Sequence, residues 1–410
     1  VLHVRLVVPG GAALETIHAA GTSALTARSL AEGTLGRSAD ALAVALERHG
    51  SAFEAFAQWD ALELAATTPG IALRPVMELL TEVFAEPAFR DEDIERVRRR
   101  LFDELTMLRF QPPYRAGTAF AGVAFTAGSR MTVPRAGVAD SIAALRLDAV
   151  RQYWSSVAMP GQATVIIAGD LTGIAAEDVL LASVGTWSSV GDAPVVAGAA
   201  SGVSARRALT VVDFPEAVQT SLVLGAVTPR VAPDNRAAMA AGVHYLGGFL
   251  GSRLNSRIRE QLAASYGATA QLEHLADASI LRMQAAVETG STATAAEIME
   301  DEVAALMAGD VDAPTMHEAI DNLARASVMR YAHPAAVVGA LERMVVEGLP
   351  ADHYQQVHDD LLDLTSDDVV EAFRAHVGRS AICGAAAGAA AKVKEPLSGL
   401  GYTLAVEPRV

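Results

Sequence analysis

Apolar residues fill Val1–Val8 almost without interruption, and Pro9-Gly10-Gly11 closes the run, which predicts a strand followed by a turn. Apolar positions then recur at helical spacing over about Ala19–Leu30 and again over Ser38–His49, before Gly50. Two strand candidates, Ala52–Gln58 and Ala61–Thr68, end at Pro69-Gly70. Helices are expected at Ile71–Phe84 and Asp91–Leu108, with Pro87 as the stop signal between them and Asp91 as the start of the second. A segment rich in Gly and Thr, Pro112–Pro134, leads to a helix over Leu147–Val157, and a strand over Ala163–Ala168 runs into Gly169-Asp170.

The second half repeats this plan. A strand at Thr220–Gly225 precedes a helix over Asn235–Leu250 and a short helix over Ser252–Leu262. Strand candidates Tyr266–Leu272 and Ser279–Glu288 lead to helices Thr292–Met307 and Ala313–Tyr331. The turn after the paired strands falls at Gly70 in one half and at Gly290 in the other, and the next helix starts near Asp91 and Pro314. Both offsets are about 220 residues, which points to a duplicated domain. The stretch Ser188–Arg207, rich in Gly, Ala, Val and Ser, is the natural linker. The expected organisation is a first domain over residues 1–190, a linker over 191–207 and a second domain over 208–410. Antiparallel strand pairs mixed with helices give an α+β fold: two homologous domains, each a mixed, mainly antiparallel sheet covered by helices.

A chain of 410 residues is long for one core, in agreement with two domains. The net charge of −16 argues against nucleic acid, whose phosphates call for Lys/Arg clusters, and an acidic surface suits basic peptides if it has any partner preference. Cys383 is the only cysteine, so neither an internal disulfide nor a thiolate metal cluster is available, and its apolar setting reads as a small buried hydrophobe. No apolar run approaches the roughly 20 residues of a membrane span, and no signal peptide is evident, so the expected location is cytoplasmic and away from membranes. The chain opens inside an apparent strand, which leaves room for residues upstream of Val1.

Several separated places share one frame: the first strand, Pro9-Gly10-Gly11, Glu15, Gly21, an apolar helix, and Glu32-Gly33-Thr34. Tyr153-Trp154, Pro160 and Ile167-Ala168-Gly169-Asp170 follow in order, and later Leu364-Thr365 with Asp368-Val369, where Thr365 is placed to cap a helix. In this order and spacing the chain resembles the pitrilysin/insulinase-type zinc peptidases, including the mitochondrial-processing-peptidase-like members, over nearly its whole length. Those peptidases carry His-x-x-Glu-His in this frame, whereas this chain reads Ala24-Leu25-Thr26-Ala27-Arg28. The resemblance places the third zinc ligand near Glu104, about 76 residues further on, but one carboxylate without imidazoles does not hold catalytic zinc. His3, His18 and His49 are scattered, and His353 and His358, five apart, read as surface residues. The chain itself is therefore expected to hold no metal and no cofactor.

The segment Gly251-Ser252-Arg253-Leu254, Ile258-Arg259-Glu260 and Tyr266-Gly267 resembles a stretch of the same family in which an arginine and a tyrosine reach across to the zinc site of the other domain or subunit. The resemblance gives that role to Arg259 and Tyr266. Peptide hydrolysis builds negative charge on a carbonyl oxygen; a phenol can donate to it, and a guanidinium can anchor a substrate carbonyl. Read without the family, Arg259-Glu260 simply ends a helix and Tyr266 starts a strand. The resemblance also implies a substrate-binding strand edge at Ser51–Trp59, where Glu54 replaces an expected Asn; Phe53, Phe56 and Trp59 read as packing residues. Three functions compete. One is a noncatalytic subunit of a heterodimeric zinc metallopeptidase, supplying Arg259 and Tyr266 to a zinc-bearing paralogous subunit that acts on unfolded or extended peptides. The second is a non-enzymatic structural or peptide-binding relative, like core subunits of respiratory complexes. The third, an unrelated enzyme, finds no local Ser/His/Asp order and no phosphate-binding loop in its support.

Overall fold

The computed structural model describes residues 1–187, 204, 206–377 and 382–408. They form an α+β protein of two compact units. The units depart from contiguous domains over 1–190 and 208–410: the first comprises Val1–Thr106, Val133–Ala197 and Arg330–Leu349, and the second Met107–Thr132, Gly198–Met329 and Pro350–Val410. Each half of the chain lends a helix to the other half's sheet. Most of the expected linker, residues 191–203 and 205, lies outside the described residues.

The first unit is built on four strands, β1 (Leu2–Pro9), β2 (Ala52–Ala57), β3 (Ala61–Thr68) and β4 (Thr164–Gly169), in the order β2-β3-β1-β4, every neighbour antiparallel. Alternation along β1 sends Leu2, Val4, Leu6 and Val8 into closed packing, each at most 2% exposed, and leaves His3 and Arg5 for the opposite face. That opposite face is covered by the Pro334–Glu347 helix, which arrives from the far end of the sequence and packs Val338 against Val7, Ala61 and Ile166. Arg5 lies inside this contact. One of its nitrogens bonds both Glu63 of β3, at 2.6 Å, and Glu342 of the helix, at 2.7 Å.

The second unit has six strands: β5 (Ala208–Asp213), β6 (Gln219–Pro229), β7 (Ser265–His274), β8 (Ala278–Glu288), β9 (Cys383–Gly388) and β10 (Thr403–Glu407). Their order is β10-β5-β9-β6-β8-β7, with parallel pairing at β10–β5 and β5–β9 and antiparallel pairing elsewhere. The run β7-β8-β6-β9 repeats the connectivity of β2-β3-β1-β4, and β5 and β10 extend it on one side. Cys383 is buried in β9, and burial pushes its thiol up to about 12.

The Gly- and Thr-rich segment that read as a connection contains a helix, Pro112–Ala124. Pro112 and Pro113 sit in its first turn, where a missing N–H costs nothing. Ala116, Ala119, Phe120 and Ala124 form a helical stripe buried against β5, β6 and β9. Gly225 of β6 admits the Phe120 ring: a Cβ there would lie 3.1 Å from its tip. Gly117 and Gly122 weaken the helix locally, so the sheet beneath supplies what propensity does not.

Candidate functional site

The helix at the expected metal position, Thr22–Ser29, begins at Gly21, whose φ of +96° suits glycine and whose Cβ would meet Ala136 O at 2.6 Å. Glu15, buried in the frame, accepts hydrogen bonds from the backbone N–H groups of Gly21 at 2.9 Å and Ser23 at 2.6 Å. A carboxylate here caps the helix and opposes the positive end of its dipole. Tyr153 holds the preceding turn: its hydroxyl accepts from Gly11 N at 2.7 Å and donates to Gly11 O at 3.1 Å. The frame residues shared with the peptidases thus have structural work independent of any metal.

Within the helix, Leu25, Thr26 and Ala27 are fully buried, whereas Ala24 and Arg28, one turn apart, face a more open side. Arg28 meets Glu104 of the Asp91–Leu108 helix in a two-pronged ion pair, at 2.6 and 3.1 Å. The hydrogen bond from Arg28 holds the Glu104 carboxyl below the usual carboxylate range. One turn on, Glu32 bonds Arg96 and Arg100 from the same opposing helix, and Arg96 also bonds Asp93. Glu104 is therefore more than the plain surface residue its helix position suggests. This donor set does not fit zinc: two alanines and an arginine replace the ligands and base, and both Glu104 oxygens are engaged by a guanidinium. Among the described residues no group of three His, Cys, Asp or Glu side chains is arranged to hold a metal.

Arg259 and Tyr266 lie in the second unit, on successive elements. Arg259 sits, half-buried, in a π-helical turn over Asn255–Gln261, a geometry often met at functional positions. Its neighbours Arg253 and Arg257 are both bound to the buried Glu302, but Arg259 makes no ion pair with a described residue. Tyr266 lies on the edge strand β7, where the register with β8 slips between Ser265 and Ala268, and it is 95% exposed. A bulge at an edge re-aims a side chain.

Sequence reasoning missed what holds this segment. Asn255 donates to Phe249 O at 3.0 Å and Ser252 Oγ at 3.1 Å, and accepts from Ala268 N at 3.0 Å, so it ties the π turn to the strand beyond Tyr266. Ser265 Oγ closes the bulge by accepting from Gly267 N and donating to Gly267 O. Ala263, with φ of +52°, makes the corner between the two elements. Asn255 lies in the gap between Leu254 and Ile258 of the motif, and its partners are fixed only in three dimensions.

At the other expected place, β2 is an edge strand with Glu54 exposed on it; Phe53, Phe56 and Trp59 are half-buried, and Arg5 lies 5.3 Å over the Phe56 ring. His353, expected at the surface, is 3% exposed and stacks edge-on with Tyr354, while His358 bonds Ser327. No helix among the described residues is long and apolar enough to cross a membrane.

Residues 2–120 match the profile of the insulinase family (peptidase family M16), and residues 144–323 match that of the peptidase M16 inactive domain. No curated protein sequence matches. Among solved structures, a peptidase M16 inactive domain from Pseudomonas fluorescens superposes with a TM-score of 0.86 at 22% identity, covering 95% of this chain and 93% of that one. A protease from Helicobacter pylori gives 0.87 at 15% identity, with 94% and 93% covered. A chain of complex III2 from Candida albicans gives 0.78 at 14%, with 97% and 94% covered. At these identities the superpositions establish the shared fold, while the two profiles span well over half of the sequence. The chain belongs to the insulinase family, peptidase family M16, as a member without the His-x-x-Glu-His motif.

Proposed function

We propose that this chain is the noncatalytic subunit of a heterodimeric zinc peptidase, contributing Arg259 and Tyr266 to a zinc site held by a paralogous partner that cleaves extended peptides. The observation that carries this reading is the contrast between its two candidate sites. The helix at the metal position carries no zinc ligand, and the carboxylate opposite it, Glu104, is paired with Arg28. Tyr266 by contrast is held outward at 95% exposure, and Arg259 is left without an ion pair among described residues while Arg253 and Arg257 are engaged. A phenol with no hydrogen bond to a described residue is available to donate to an oxyanion formed elsewhere, and a guanidinium can fix a substrate carbonyl in a set orientation. Zinc in the partner would polarise the scissile carbonyl and activate water; this chain's part is to orient the peptide and stabilise charge.

The test is reconstitution with a paralogue that carries His-x-x-Glu-His, the adjacent reading frame being the first place to seek it. Activity on unfolded peptides should require both proteins. Full activity of the partner alone would refute the proposal. The second reading, a non-enzymatic assembly or peptide-binding protein, is favoured by the likeness to a chain of complex III2. It predicts a stable complex whose activity, if any, ignores substitutions at Arg259 and Tyr266.

A further inference from the structure

Three arginines, Arg253, Arg257 and Arg259, fall within seven residues on the segment that precedes Tyr266. Two of them share one acceptor. Glu302 lies on the Thr292–Ala308 helix, 49 and 45 residues beyond Arg253 and Arg257, and is 3% exposed. Its Oε2 accepts from Arg253 Nε at 2.9 Å, and its Oε1 accepts from Arg253 Nη2 at 3.1 Å and from Arg257 Nη1 at 3.0 Å. A carboxylate this enclosed persists only where cations meet it, and here three charge-assisted bonds do so. Arg253 and Arg257 are four apart and lie along one side of the turn, whereas Arg259, two residues further on, does not share that side. The turn itself needs holding, because π-helical geometry is rare and must be imposed by its surroundings. Leu254 and Ile258, both fully buried, fix its inner side. Asn255 fastens it to the loop at Phe249 and to the strand at Ala268. Glu302 fastens it again, from a different helix.

We propose that Glu302 is a positioning residue: by taking up Arg253 and Arg257 it locks the π turn and leaves Arg259, of these three, as the guanidinium presented to a peptide carbonyl. The inference rests on the role proposed above for Arg259. Glu302 itself touches no substrate. Loss of its charge releases two further guanidiniums from the same turn, and the turn with them, so a carbonyl meets mobile cations instead of one fixed fork.

The test uses Glu302→Gln, which keeps the volume and removes the charge, in two measurements. On the full chain alone, hydrogen exchange followed by mass spectrometry should be at least about tenfold faster across residues 255–268, with the strands of the first unit unchanged. In the reconstituted complex, Glu302→Gln should raise KM about tenfold, keep kcat within about twofold of wild type, and add nothing when Arg259 is already alanine. Unchanged exchange in the chain alone would overturn the proposal. So would a KM effect that multiplies with that of Arg259→Ala, because a merely structural loss acts whatever stands at position 259. The two readings fail differently: wild-type kinetics in Arg259→Ala would refute the role of Arg259 and this inference with it, whereas a raised KM in Arg259→Ala beside a silent Glu302→Gln would refute the clamp alone. If Glu302→Gln does not fold, Arg257→Met, which leaves the two-pronged bond from Arg253 intact, takes its place in both measurements under the same criteria.

Discussion

Replacing Glu63 by glutamine should stabilise the first unit at pH 8 and leave it nearly unchanged at pH 5. Glu63 is fully enclosed between the sheet and the Pro334–Glu347 helix. Two carboxylates, Glu63 and Glu342, share one Arg5 nitrogen, and the second Glu63 oxygen has no hydrogen-bond partner among the described residues. Burial, followed by the charge of Glu342, raises Glu63 from its ordinary 4.5 to about 7, and Arg5 offsets this only in part. Between those values the folded chain holds a proton that the unfolded chain releases, so stability falls as pH rises through that window. The gap corresponds to at most about 3 kcal/mol, fully felt above pH 7 and absent below about pH 4.5. Glutamine keeps the volume, leaves Arg5 to Glu342 and removes the surplus charge. After allowing for a weaker bond to Arg5, a gain of about 2 kcal/mol at pH 8 is expected, or roughly 1 M in urea midpoint. Tryptophan fluorescence isolates the transition, because Trp59, Trp154 and Trp187 all belong to the first unit. An equal midpoint change at pH 5 and pH 8, or a loss of stability at pH 8, would rule out a destabilising surplus charge at Glu63.

In the reconstituted complex, Tyr266→Phe should lower kcat by about 10²-fold or more, as for other oxyanion donors, with unchanged heterodimer yield in gel filtration. Arg259→Ala should raise KM, and Arg259→Lys should not rescue it, because a point charge does not reproduce the planar fork; wild-type kinetics in these variants would move the weight to the assembly-protein reading. Glu15→Ala removes the acceptor for Gly21 and Ser23 N–H and should cost about 1–2 kcal/mol in the same fluorescence transition, with no loss showing that water replaces the cap. Purified wild-type chain should contain well under one zinc per molecule by metal analysis; one tightly held zinc per chain would contradict the donor set at Ala24, Ala27 and Arg28.

Features that act within a few residues can be read from the chain alone. The apolar run of β1, the paired strands before Pro69-Gly70 and before Gly290, and the Thr365 cap were all legible; in the structure Thr365 accepts from Asp368 N and the Asp368 carboxylate returns to Thr365 N. The duplicated plan was legible because local order repeats. The absence of the zinc motif was equally plain, because two histidines and a glutamate on one helical turn are a local pattern.

Which distant groups meet depends on the folded chain. Arg28 and Glu104 are 76 residues apart and Arg5 and Glu342 are 337, so no periodicity joins them. The Pro112–Ala124 helix was hidden by its own glycines, and the sheet against which it packs is built from residues beyond 207. His353 is buried by packing that its neighbours in sequence do not announce. Tyr266 is held outward by a bulge fastened through Ser265 and through Asn255, ten or so residues upstream. Backbone propensity and capping are short-range terms written residue by residue. Burial and ion pairing depend on what the rest of the chain brings alongside, and that is settled only when the sheets and their exchanged helices come together.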